Sequence, residues 1–482
     1  MLNKLLVSFS VASLLTCSLV ADEMSDDLGG FDTEEVAEVP SDDFDDLSGF
    51  GEEDETDEAL HVEPIEESKD DLFTLSGDLA FKTSVGYQSH EVDGIDYSGI
   101  NQAQTSLYLQ LDSKLSDNWK MRISGDMYYD AIYDLKHNGD YRKDIEDEYR
   151  TQLRFDDVYF QGRLTKDIDL KVGRQIVVWG KSDSIRITDV INPLDNRLPG
   201  MTDIEDLRLS TGMAKLDYYV GDWNFSFMAI AESRIMIEAP AYSEFFPVKA
   251  VFTGAPDPFI DLIEPSTSWD NMQYAFAANG VFSGWDLSFY GADVLDQKWH
   301  LENAGTLNAK RVVSKVKMLG LAVNIATGSW LLKSEVALLD GVRYNSTLED
   351  KKRLDALVGV DYMGITDTVL SLEFANRHIF DHEAQMAYTD ARGVDFVDED
   401  EKTTAIRLTR SFSNDTINAS ALISMFGGEW EYGGFARVWV DYEIANALNA
   451  SVGIVDYIDG DRPYMKSISD NDRVFLDITY SF

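Results

Sequence analysis

The chain has 482 residues, with 87 Asp and Glu against 41 Lys and Arg, and a formal charge of −46. That balance excludes a nucleic-acid partner, which needs clustered cations to neutralise phosphates. A single cysteine, Cys17, excludes a disulfide framework and any cysteine-built metal centre.

Residues 1–21 carry one Lys (Lys4), an apolar run from Leu5 to Leu15, and a small Ala21 before the acidic Asp22. This is the pattern of a secretory signal peptide. Acylation of Cys17 is a poor alternative, because Leu15-Thr16 does not suit a lipoprotein cleavage site. No later apolar run is long enough for a spanning helix. Residues 22–71 then hold 23 Asp or Glu and one Lys. So much self-repulsion with so little apolar surface cannot offset the entropy of ordering, so an acidic periplasmic tail without fixed structure is expected. Two echoes stand out in it, Asp26-Asp27-Leu28-Gly29-Gly30-Phe31 and Asp45-Asp46-Leu47-Ser48-Gly49-Phe50. They suit a solvated spacer, a pair of docking motifs for a basic periplasmic partner, or loose capture of cations.

From Leu72 the pattern turns to strands of alternating polarity bounded by turn residues. Eighteen such runs can be traced, among them 73–88, 168–179, 207–220, 223–233, 285–295, 314–326 and 472–482. Every second link is a tight turn, such as Gly221-Asp222 or Thr327-Gly328-Ser329, whereas the intervening links are mostly long. Short turns on one side and long loops on the other predict an all-β transmembrane antiparallel barrel over 72–482, of about eighteen strands with sixteen as the alternative. On run 330–340, Trp330, Leu332, Val336 and Leu338 oppose Lys333 and Glu335. On run 352–363, Leu354, Val358 and Tyr362 oppose Asp355 and Asp361. Charges cost up to about 2–4 kcal/mol on the lipid face of a barrel, so these faces must line a hydrated lumen. Trp119, Trp223, Trp285 and Trp330 beside the short turns predict an interfacial aromatic girdle.

The third long loop begins in Val172-Gly173-Arg174-Gln175 and runs through Trp179-Gly180-Lys181, Arg186, Asp189 and Asn192-Pro193-Leu194-Asp195-Asn196-Arg197. Arg174 shares the parity of Val172 and Ile176, and so faces lipid unless the strand has already left the membrane there or a bulge near Gly173 re-aims it. Folded into the lumen, Arg174, Lys181, Arg186, Asp189, Asp195 and Arg197 would make a charge-paired constriction; a purely structural latch is the competing reading. The segment resembles the domain-of-unknown-function family thirteen-oh-two, large outer-membrane proteins of proteobacteria. Gly173, Arg174, Gln175, Trp179, Gly180, Asp189, Asn192, Pro193 and Asp195 match its pattern. The resemblance implies an outer-membrane barrel and traffic in hydrophobic small molecules, since such proteins often accompany lipid, steroid or aromatic degradation systems and exporters.

Loop 234–270 is rich in Phe245, Phe246, Phe252, Phe259 and Ile260, punctuated by five prolines. It suits a plug in the barrel mouth or a hydrophobic capture surface. The last strand alternates Val474, Leu476, Ile478, Tyr480 and Phe482 with polar partners, and ending on Phe resembles the sorting signal of the barrel-assembly machinery. Six histidines, no Gly-x-Ser-x-Gly and no phosphate loop give no enzyme signature, and no cofactor is expected. His378 and His382 have metal-pair spacing only on a helix, and loop histidines are the plainer reading.

The sequence therefore predicts an outer-membrane channel passing small, hydrophobic or neutral molecules. The expected partners are membrane lipid, lipopolysaccharide, the assembly machinery and a periplasmic partner of the tail. A general cation-preferring porin and a structural tether acting through the acidic tail are the alternatives.

Overall fold

In the computed structural model, residues 72–136, 139–246, 262–302, 310–345, 347, 349–387 and 396–482 are described. The leader, the acidic tail and its two echoes lie outside the described residues, as do His137, Phe252, Phe259 and Ile260.

Eighteen long strands close into one antiparallel barrel. In chain order they are β1 (Phe73–Gly86), β2 (Gly99–Ser116), β3 (Trp119–Asp130), β4 (Thr151–Thr165), β5 (Ile168–Gln175) and β6 (Thr211–Val220). Next come β7 (Trp223–Ile230), β8 (Gln273–Phe282), β9 (Trp285–Glu302), β10 (Lys310–Thr327), β11 (Trp330–Val342) and β12 (Lys351–Ile365). The last are β13 (Thr368–Ile379), β14 (Asp400–Phe412), β15 (Ile417–Phe426), β16 (Gly434–Ala445), β17 (Leu448–Ile458) and β18 (Arg473–Ser481). Each pairs with its chain neighbours, and β1 seals the seam by pairing both β2 and β18, from Asp78↔Ser481 to Gly86↔Arg473. Closure leaves no sheet edge, so wall amides pair along the ladders without water, the condition for crossing lipid.

The alternation read from sequence sets which face is which. Leu332, Val358 and Tyr480 are exposed on the outer wall, whereas Lys333, Glu335, Asp355 and Asp361 are buried inside it. Trp285 stacks on Phe282 and Trp330 packs tilted against Tyr362, both at 4.4 Å between ring centres and both beside short turns, where a girdle belongs.

The wall departs from expectation in two places. The hairpin β9–β10 continues past 295 and 314, because a bulge between Leu295 and Trp299 lets pairing resume through Trp299↔Val313 to Glu302↔Lys310. Conversely, β5 stops at Gln175 rather than 179, β6 starts at Thr211 and β7 ends at Ile230. The wall is low there because pairing ends at Gln175 and, once past the outward-facing Ile176 and Val178, the chain runs inside the barrel before returning to the wall at Thr211.

Candidate functional site

The inward segment packs on the inner face of half the barrel. Val177, Trp179, Ile185, Ile187 and Ile191 join Met213 and Met228 and the inner faces of β8–β14 in one buried cluster. Inward wall positions there are small: Ala322, Ala337, Ala375 and Ala405 are at most 2% exposed, and this leaves room for the segment. Trp179 stacks on Tyr290 at 4.7 Å.

Two wall carboxylates fasten the backbone of this segment. Glu335 accepts hydrogen bonds from the amides of Lys181, Ser182 and Thr188 and from the Thr188 hydroxyl. Glu373 accepts from the Ser182 hydroxyl and the amides of Asp183 and Ser184. Both glutamates are 1% exposed. Buried anions normally cost several kcal/mol each, so this dense set of donors is what makes them tolerable. Alongside, Lys333 bridges Asp183 at 2.5 Å and Asp361 at 2.7 Å.

Asn192 ties the two ends of the segment together. Its amide oxygen accepts from Val177 N at 2.8 Å, and its NH₂ donates to the carbonyls of Leu209 (2.9 Å) and Gln175 (3.3 Å). Asn192→Ala should strand these buried backbone groups and cost the barrel about 3–5 kcal/mol. A lower midpoint for loss of the heat-resistant folded band checks this.

The six side chains expected in one constriction are not brought together. Arg174 keeps the outward parity of Val172 and Ile176, without a bulge at Gly173, and pairs with Glu232 and the Phe155 carbonyl. Lys181 reaches Asp286 on β9 at 2.7 Å. Arg186 and Arg208 share Asp189 at 3.0 and 2.9 Å, all largely buried, and Arg377 donates to the Arg186 carbonyl. Burial pulls the Arg186 guanidinium below its ordinary value, with Asp189 pulling the other way. Lys181, Arg186 and Asp189 therefore have the geometry of the latch reading.

Asp195 and Arg197 are different, for they face open space. They bond each other at 2.6 Å, and Asp195 also takes Arg154 of β4 at 3.2 Å. Burial opposes the Asp195 charge, but Arg197 and Arg154 outweigh it and hold the carboxyl below the usual range. This network walls a cavity of about 630 Å³ in the other half of the lumen, bounded mainly by β1–β4, β18 and the far end of the inward segment.

The greasy loop contributes to the same compartment. Phe245 is buried against Tyr457 at 5.5 Å, with the Arg473 guanidinium 4.7 Å over its ring. Glu244 pairs with Arg473 at 2.5 Å and takes Asn101 at 3.1 Å. Phe246 lies beside Tyr242. Of the described part of that loop, Ser243 and Glu244 line the cavity and Phe245 is buried beside it. His378 faces Asp400 at 3.0 Å, and His382 bonds the Val397 carbonyl. Each histidine has its own local partner, so the two are not turned on a common centre.

The sequence profile described as "Protein of unknown function (DUF1302)" matches residues 95–482. The chain belongs to the DUF1302 family. The motif that the sequence shares with the family now has a physical meaning: Gly173 to Trp179 aims the chain inward, and Asn192 knots it. No curated protein matches this DUF1302 member in sequence. Among solved structures, OccAB1 of Acinetobacter baumannii is similar at 10% identity, covering 85% of this chain and 96% of that one, with a TM-score of 0.51. OccK2 (OpdF) of Pseudomonas aeruginosa, solved in complex with glucuronate, gives 12%, 85%, 98% and 0.48. A loop L8 deletion mutant of OmpT, an outer membrane protein of Vibrio cholerae, gives 11%, 86%, 100% and 0.40. At 10% identity the likeness to OccAB1 speaks for the fold alone, an outer-membrane-type barrel.

Proposed function

We propose that this DUF1302 member is an outer-membrane channel that passes small molecules through the half of its lumen left free by the inward segment. One observation carries the reading: a closed barrel with an apolar outside encloses a cavity of about 630 Å³ walled by charged and polar side chains. Eight acidic side chains line that cavity against four basic ones. An excess of one sign in a low-dielectric passage raises the local concentration of the opposite ion, which favours cations and neutral solutes over anions. The polar lining favours this over a route for purely hydrophobic cargo. Conductance of the refolded protein in planar bilayers tests the proposal: open steps with cation preference support it, and a barrel without ion or solute flux sinks it.

The acidic excess also sets a pH response. Asp206, on the inward segment and open to the cavity, has its carboxyl raised by its low-dielectric surroundings and then by Asp203, against the pull of Lys82 and Arg437. It gains its proton above the ordinary carboxylate range near pH 4, and each proton gained removes a negative charge from the passage. Cation preference, read as reversal potential in a salt gradient, should shrink as pH is lowered from neutral toward the carboxylate range, with the loss beginning above the ordinary value near 4.

A further inference from the structure

The cavity has two kinds of wall. Toward the short-turn end, Asp78 on β1, Asp477 on β18 and Asp206 of the inward segment line the cavity together with Lys82, which lies cross-strand from Asp477. Among the described residues Asp78 accepts a serine hydroxyl, and Lys82 and Arg437 attract Asp206 and Asp477 without a direct ion pair, so three carboxylates stand against one cavity lysine at this end. The arginines of the cavity are already committed, Arg154 and Arg197 to Asp195 and Arg473 to Glu244. Toward the long-loop end the wall is tyrosine. Tyr133 lies parallel to Tyr149 at 6.5 Å, and Tyr97 closes the same end. Tyr97 is 6% exposed, yet its hydroxyl has no hydrogen-bond partner among the described residues. A buried phenol without a partner is costly unless something supplies one.

We propose that this cavity is a binding compartment for small organic cations that carry an aromatic or other flat apolar group. Carboxylates in excess over Lys82 hold the charge, tyrosine faces hold the flat group, and the Tyr97 hydroxyl is left to answer a polar substituent. Cations are attracted to ring faces as well as to carboxylates, whereas a carboxylate ligand would meet repulsion from both. The inference rests on the channel reading for its biological sense, but the binding can be tested apart from flux.

Three probes with one ring and three charges decide it: benzyltrimethylammonium, benzyl alcohol and benzoate. Calorimetry on the full-length protein in detergent reads binding, and block of single-channel current reads passage. Benzyltrimethylammonium should bind most tightly and benzoate least. Asp206→Asn, Asp477→Asn and Tyr97→Leu should each weaken the cation by roughly three- to tenfold. Asp117→Asn, on an exposed short turn, should change nothing. Benzoate binding as well as the cation, no binding of any probe, or indifference to all three variants would overturn the assignment. Binding without any conductance would keep the compartment and sink the channel.

Discussion

Removing both latch carboxylates, by Glu335→Ala with Glu373→Ala, is expected to raise single-channel conductance several-fold. Together the two side chains receive seven hydrogen bonds from residues 181–188, five of them from backbone amides. A hydrogen bond to a charged group contributes about 1.5–3 kcal/mol, and amides left bare in a buried site cost about 1–3 kcal/mol each. The segment would be better off reaching for water than staying against the wall. Apolar packing of Trp179 and Ile187 opposes release, so each single substitution should give a smaller effect than the pair. Released, the segment no longer fills its half of the lumen and the open cross-section grows. A broadened, noisier current with lower thermal stability of the folded band is the expected signature. Unchanged conductance in the double variant, with the barrel still folded, would mean that packing alone holds the segment.

Much of this was legible in the sequence, for reasons that can be named. Alternation fixed the wall because lipid tolerates no charge on one face, so Lys333, Glu335, Asp355 and Asp361 declared their side as soon as Leu332 and Val358 declared theirs. Glu335 read as a lumen residue, but nothing local could say that its partners sit about 150 positions away on the inward segment. Hydrogen bonds to backbone amides leave no mark on the donor's side-chain identity, so Ser182 and Thr188 looked like ordinary loop residues. The expected constriction failed as a set for a related reason. Arg186 with Asp189 and Asp195 with Arg197 do pair locally, but Arg174, Lys181 and Asp195 also take partners from elsewhere in the barrel, Glu232, Asp286 and Arg154 in turn, which pulls the set apart. Charge alternation in a loop reports that charges will be paired, not with which strand. The early stop of β5 at Gln175 was hidden because Ile176 and Val178 continue the outward apolar alternation past the point where pairing ends.

Gly173 is where that turn inward is set, and Gly173→Val should abolish assembly of the barrel. Its φ of +134° lies in the region that side chains rarely adopt. More severely, a Cβ placed there would sit 2.1 Å from the Val158 carbonyl oxygen and 2.7 Å from the Tyr159 Cα. Those atoms are backbone of β4, directly across the ladder at Tyr159↔Gly173, so no side-chain rotation relieves the overlap. The strands would have to part at the very pair that holds β5, which at eight residues has few other rungs. Gly221 separates the two contributions. It also has positive φ, +57°, but a Cβ there meets nothing within 4 Å. Gly221→Ala should therefore cost only the dihedral penalty, about 1–2 kcal/mol, and still yield a folded barrel. Gly173→Ala already carries the overlapping atom and should fail nearly as badly as valine. Refolding yield, read as the heat-resistant band, ranks the three. Should Gly173→Ala refold like Gly221→Ala, the close approach of β4 and β5 would not be what demands glycine there.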